Sequence, residues 1–196
     1  MSAIAFFDFD GTITHRDSFL RFLLFKKKIT GKFIGQLIRS IPVLVSWKMG
    51  LYHNGKAKEK VFGIFFKGVE QVRFDELCSE FANDVFPLIE NETAMNKIAW
   101  HLQRDHQVVI VSASIENYIR HFALKHTISY IGTRIEIIDG HLTGKFIGPN
   151  CYGNEKVKRI KKIYDLNSYE NIFGYGDSRG DKAMLSIAKE AFYRSF

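Results

Sequence analysis

Only two cysteines, Cys78 and Cys151, occur in 196 residues. They stand far apart and outside any CxxC arrangement, which argues against a disulfide framework or a thiolate zinc site. There is no Pro-rich, Ser-rich or repetitive stretch, so neither a repeat architecture nor a disordered tail is expected. The opening MSAIAFFDFDG lacks a basic leader region and its apolar run is broken by Asp8. That argues against a secretory signal and makes the cytoplasm the expected location. Residues 33–52 are apolar but interrupted by Arg39, Pro42 and Lys48, far short of the roughly 18 uncharged residues that span a bilayer. What remains is a chain of ordinary apolar content, 46%, long enough for one domain or one domain with an insertion.

Acidic residues are scarce in one place. Between His15 and Gly68 twelve Lys and Arg face only Asp17 and Glu59, giving +10 in a chain of net charge +7, so the remainder carries about −3. The same segment is rich in Phe, Leu and Ile. Its first reading is a helical subdomain packed by Phe19, Phe22, Phe25, Leu37, Ile41 and Trp47, with Lys26–Lys28 solvated. Its second reading is a surface in peripheral contact with an anionic membrane, lying on the bilayer without crossing it. No nucleic-acid-binding motif accompanies the charge, so nucleic acid is not an expected partner.

Ala3–Phe9 is an apolar run that reads as a buried strand. Four helical stretches follow, spanning residues 19–28, 32–52, 55–69 and 74–90, with breaks at Thr30-Gly31, Asn54-Gly55 and Gly68-Val69 and a kink or interruption at Pro42. A helix up to Arg104 precedes a second strand, HQVVIVSAS, after which Ser114 reads as the cap of a helix running to about Leu124. Asp139-Gly140 signals a hairpin. Gly153–Tyr164 reads as a helix, NIFGYGD as a third strand, Asp181–Lys189 as a helix and AFYRSF as a last strand. Alternating strands and helices predict an α/β fold, a Rossmann-like three-layer core around a parallel sheet. Ligands of such sheets lie beyond the carboxyl ends of the strands, where Asp8 and Asp10, Ser112 and Ser114, and Asp177 should converge.

An extended DFD would set Asp8 and Asp10 on one face of a strand. With Asp177 and Asp181 they form a group of four carboxylates, with the Lys156 ammonium and the Ser112 hydroxyl beside it. Clustered carboxylates repel unless a hard cation holds them ionised, and Mg²⁺ suits an all-oxygen site that shares a substrate phosphate. A carboxylate can attack phosphorus, and a neighbour can shuttle the proton of the leaving and attacking oxygens. The backbone N–H groups of Gly11 and Thr12 can hold phosphate oxygens.

Four motifs, DFDGT, VVIVSAS, GNEKV and GDSRGD, resemble in order the signature motifs of the haloacid dehalogenase superfamily of phosphatases. The wording around them (THRDSF, VSAS, YGNEKV) resembles subfamily IB, the phosphoserine-phosphatase-like hydrolases. The resemblance implies a core of residues 1–14 and 88–196 and an inserted helical cap of residues 15–87. It implies Asp8 as nucleophile and Asp10 as general acid/base. Gly11, Thr12, Ser112, Ala113 and Lys156 would bind phosphate. Asp8, Asp10 through its carbonyl, and Asp177 would hold Mg²⁺, supported by Asp181 and Ser178. Asp17 stands near the place of a Glu that receives the substrate amine in phosphoserine phosphatases, so Asp17, His15 and Arg16 are the specificity candidates. The expected activity is Mg²⁺-dependent hydrolysis of a small phosphorylated metabolite. A phosphatidylglycerophosphate-type lipid phosphatase is the alternative, and a non-catalytic binding relative ranks below both.

Overall fold

The structure is a computed structural model in which residues 2–25, 33–49 and 54–196 are described, the side chains of Trp47, Lys48 and Asn54 excepted. The expectations for Lys26–Lys28, for the break at Thr30-Gly31 and for the packing of Trp47 lie outside these residues.

The strands are β1 (Ala3–Phe7), β2 (Gln107–Ile115), β3 (Ser129–Thr133), β4 (Ile135–Ile138), β5 (His141–Phe146), β6 (Asn171–Gly176) and β7 (Glu190–Tyr193). Five form a sheet of order β3-β2-β1-β6-β7, parallel throughout. β1 is central, with Ile4 beside Gln107 on one side and Ile172 on the other. Both faces are covered, as parallel sheets require. Alternate residues of β1 therefore enter different cores: Ala3, Ala5 and Phe7 join Phe9, Tyr118 and Phe122 on one face, while Ile4 and Phe6 join Val109, Ile160 and Met184 on the other.

The chain between β1 and β2 is mostly helical: α1 (Ser18–Phe25), α2 (Phe33–Lys48), α3 (Asn54–Phe66), α4 (Gln71–Asp84) and α5 (Glu92–Leu102). Later helices are α6 (Glu116–Lys125), α7 (Asn154–Ile163) and the short α8 (Lys182–Leu185). The helix expected over Asp181–Lys189 is only this α8, preceded by a 3-10 turn over Arg179–Asp181. Asn54-Gly55 opens α3 and does not merely precede it. Pro42 lies inside α2 and does not interrupt it. A ring in mid-helix removes one N–H donor, but Pro42 is exposed, where water can satisfy the orphaned carbonyl.

Phe22 of α1 anchors the inserted helices, with ring centroids 5.3 Å from Phe66 and 5.1 Å from both Phe81 and Tyr118. Contrary to the packing expected from the sequence, Leu37 and Ile41 of α2 are 44% and 51% exposed. The β4–β5 hairpin turns at Asp139-Gly140, both with positive φ, as a two-residue primed turn demands. It packs on α3: Phe62 meets Phe146 at 5.5 Å, and the Glu59 carboxylate accepts from the Phe146 N–H at 2.8 Å. Among the described residues no helix is long and apolar enough to cross a membrane.

Candidate active site

β1 ends at Phe7, earlier than the sequence suggests, so Asp8 and Asp10 sit on a loop and not on one strand face. Asp8 N–H still donates to the Tyr175 carbonyl at 2.9 Å, which ties it to β6. The loop then turns sharply, with Gly11 N–H donating to the Thr14 carbonyl at 2.7 Å. Gly11 has φ +82, and a Cβ there would overlap the Asp177 carboxylate. Glycine is required on both counts.

The two aspartates have separate surroundings. Asp8 Oδ1 accepts from Lys156 Nζ at 2.5 Å, and its second oxygen has no hydrogen-bond partner among the described residues. The same ammonium donates to Asp181 Oδ1 at 2.6 Å. Asp181 Oδ2 accepts from Ser178 N–H at 2.9 Å and from its hydroxyl at 2.6 Å, which closes a capping box over the 3-10 turn. Asp10 Oδ1 accepts from Ser18 N–H at 2.8 Å, and its Oδ2 accepts from the Ser114 hydroxyl. Ser114 is therefore no helix cap. Ile115 holds the position before α6 without a side-chain bond, because β2 continues past the serine.

The electrostatics follow from burial. Desolvation pushes the Asp8 carboxyl up to about 7 against the pull of Lys156, with Asp181 and Asp10 adding repulsion. Burial alone would lower the Lys156 ammonium, but Asp8 and Asp181 outweigh it and hold it above its ordinary value. Asp10 and Asp177 are both raised, first by burial, then by Asp17 and Asp181 respectively. Asp181 is lowered, because Lys156 and Ser178 overcome its desolvation.

A divalent cation fits this cluster. Asp8, Asp177 and Asp181 each offer an oxygen within 4.8 Å of the others. Asp177 Oδ1 is buried with no hydrogen-bond partner among the described residues, an unsatisfied acceptor that a cation would complete. Both oxygens of Asp181 are already engaged, so Asp8 and Asp177 are the better carboxylate donors. An all-oxygen set suits a hard ion such as Mg²⁺.

Ser112 is buried and its hydroxyl accepts from Ser114 N–H at 3.0 Å. Ser112, Ala113 and Ser178 join the four carboxylates and Lys156 in lining one cavity of about 540 Å³. Thr12 is buried, its hydroxyl without a partner among the described residues. Asp17 lines the cavity, whereas His15 and Arg16 are exposed and lie outside its lining.

Lys58 of α3 was hidden in the basic tract. Its ammonium enters the cavity, donates to the Ala113 carbonyl at 3.1 Å and lies 4.6 Å from the Phe19 ring centre. Burial lowers its pKa against the pull of Asp10, Asp17 and Asp8. A signal was present: Ala57, Lys58, Val61 and Phe65 share one apolar face at helical spacing, an unusual place for a cation.

A family model for haloacid dehalogenase-like hydrolases matches residues 5–186. Protein CicA of Caulobacter vibrioides is 31% identical over 192 residues, covering 97% of this chain and 85% of CicA. The solved structure of a protein of unknown function from Bordetella pertussis Tohama I matches with a TM-score of 0.84 at 21% identity, covering 96% of this chain and 87% of that one. A substrate-bound phosphoserine phosphatase complex matches with a TM-score of 0.69 at 16% identity, covering 98% and 86%. These two structural likenesses are likenesses of fold. By the extent of the family match, over a parallel sheet whose strand ends gather Asp8, Ser112 and Asp177, the chain belongs to the haloacid dehalogenase-like hydrolases.

Proposed function

We propose that the protein is a Mg²⁺-dependent phosphomonoesterase working through a phosphorylated Asp8. The observation that carries this reading is the buried Lys156 joined to both Asp8 and Asp181 beside the unsatisfied Asp177 oxygen. Few tasks other than handling a dianion justify that concentration of buried charge.

In the first step an Asp8 oxygen attacks phosphorus, the bond from phosphorus to the leaving oxygen breaks, and the departing alkoxide takes a proton from Asp10. In the second, Asp10 takes a proton from water as that water attacks the phosphoryl group. The phosphorus–Asp8 bond then breaks, releasing inorganic phosphate and restoring both aspartates. Asp10 is suited to give and take a proton, because burial raises its pKa while Ser114 and Ser18 hold the carboxylate in place. Lys156 and Ser112 balance the charge spread over the equatorial oxygens, whereas the N–H groups of Gly11 and Thr12, expected from the sequence to hold phosphate, are bonded to the Thr14 and Phe9 carbonyls within the turn. Asp8, Asp177 and the Asp10 carbonyl, with Asp181 in support, would hold Mg²⁺, which would neutralise charge on the phosphoryl group and keep Asp8 ionised. Residues 15–87 act as a cap over a core of residues 1–14 and 88–196, excluding bulk water when substrate is bound.

The test is phosphate release from p-nitrophenyl phosphate with and without Mg²⁺, in the wild type and in Asp8→Asn. Metal-dependent release that falls by about 10³-fold or more in the variant is expected. Release that survives Asp8→Asn, with deamidation excluded by mass spectrometry, overturns the nucleophile assignment.

A further inference from the structure

The cavity over Asp8 extends far beyond a phosphate group, and its chemistry changes along its length. At about 540 Å³ it falls in the range of pockets that bury drug-sized ligands. Its charged groups gather at the Asp8 end, where Lys58 is the outermost cation. Past Lys58 the walls are Leu23, Phe33, Leu37, Leu44, Val61 and Phe65, from α1, α2 and α3. The Ser40 hydroxyl beside them donates to the Leu37 carbonyl at 2.7 Å, and Asp17, at the charged end near Asp10 and Lys58, accepts from Leu20 N–H through Oδ1 at 2.8 Å.

The apolar lining continues outward. Leu20, Leu24, Leu37 and Leu44 all line the cavity yet are 58%, 52%, 44% and 43% exposed. Ile34, Ile38, Ile41 and Val45 extend the exposed surface along α2. A cluster of exposed apolar side chains marks a binding site, and here Leu20, Leu24, Leu37 and Leu44 belong both to it and to the cavity that holds Asp8.

We propose that the substrate is an amphiphilic phosphate monoester. Its phosphate meets Asp8, Lys156 and Lys58, and the long hydrocarbon chain of its alcohol lies between α1, α2 and α3 and emerges over the exposed face of α2. This rests on the phosphomonoesterase reading and fixes its substrate class. The bond broken is the one from phosphorus to the chain's own oxygen, so the products are inorganic phosphate and an apolar alcohol. Only a ligand with both ends uses the whole cavity. A compact zwitterion such as phosphoserine would leave the apolar half filled with water.

The experiment compares kcat/KM, with Mg²⁺, for p-nitrophenyl phosphate, phosphoserine and n-alkyl phosphates from butyl to decyl below their micellar concentrations. The expected result is a rise of about threefold per added methylene, with octyl phosphate ahead of phosphoserine. Leu37→Glu, at a position exposed enough to carry the charge without unfolding, is expected to flatten that rise. A diacylglycerol phosphate in phosphatidylcholine vesicles identifies the source: turnover there assigns a membrane lipid, and turnover of monomeric chains alone assigns a soluble amphiphile. A flat series or a preference for phosphoserine, with p-nitrophenyl phosphate still hydrolysed, overturns the proposal and leaves the phosphomonoesterase reading standing. Hydrolysis of no ester at all removes both. A flat series together with a concentration-dependent dimer that Leu37→Glu disperses assigns the leucines to contact between copies of this chain.

Discussion

Between Asp8 and Asp181 the Lys156 ammonium is 1% exposed and bonded to both carboxylates, at 2.5 and 2.6 Å. Replacing it with an apolar side chain of similar length leaves two buried carboxylates without their shared countercharge. Lys156→Met is therefore expected to cost about 3–5 kcal/mol in urea unfolding with EDTA present, and Mg²⁺ is expected to restore part of that loss. An equal loss with and without the metal would separate the lysine from the cation site. Lys156 could be picked out in the sequence because motif order distinguished it from Lys158, Lys161 and Lys162. Ser114 was misread for a local reason. Whether a serine caps a helix or faces a cleft depends on where the preceding strand stops, and β2 runs to Ile115. Lys58 was missed because charge counting treats a basic tract as one solvated face, whereas its helix turns that side chain inward.

Among the elements, the β4–β5 hairpin and α3 meet backbone to backbone. A Cβ on Gly144, which has φ +83, would come within 2.8 Å of Gly63 Cα. Gly144→Ala is therefore expected to destabilise the fold by about 1–3 kcal/mol, through backbone strain and through the pushed-apart contact. An unchanged urea midpoint would show that the hairpin yields freely. The hairpin was legible from Asp139-Gly140 because a two-residue turn with two positive φ angles restricts its residues so strongly. The parallel strands β1, β2 and β6 were legible from their apolar runs and β7 from AFYRSF, whereas β3 was not, because SYIGT is short and only its last three residues are buried. The course of α2 through Pro42 was not, since a proline on a solvated face can be tolerated by hydration alone. The exposure of Leu37 and Ile41 was hidden as well, because apolar residues at helical spacing look the same whether they face a protein core or a ligand.

Across the whole molecule, acid should act through buried histidines as well as through the carboxylates. His101 is fully buried, with Nε2 3.0 Å from the Tyr175 hydroxyl and Nδ1 2.8 Å from His106 Nδ1. Burial, with His106, Lys97 and Arg104 adding repulsion, lowers its pKa from 6.5 to about 3. His106, His121 and His126 shift the same way, burial first in each. Between those values the unfolded chain binds the proton and the folded chain does not. The contribution of His101 to stability is therefore full above pH 6.5 and is lost as the pH falls toward 3. From pH 7.5 to 5 the loss attributable to His101 is expected to reach about 2 kcal/mol. Urea titrations at the two pH values should show a smaller loss in His101→Gln, and an equal loss would remove His101 as its source.

The central position of β1 also has a consequence in time. Ala3 pairs with Asn171, so the strand that leads into Asp8 lacks one neighbour until nearly the whole described chain has been made. At roughly 5–20 residues per second, that interval is on the order of 10–30 s. Throughout it the apolar AIAFF segment has an open edge, and the helices between β1 and β2 can form first because their contacts are local. Asp8 is synthesised long before Lys156, Asp177 and Asp181, so a nascent chain carries the proposed nucleophile without the groups proposed to give it a reaction to perform.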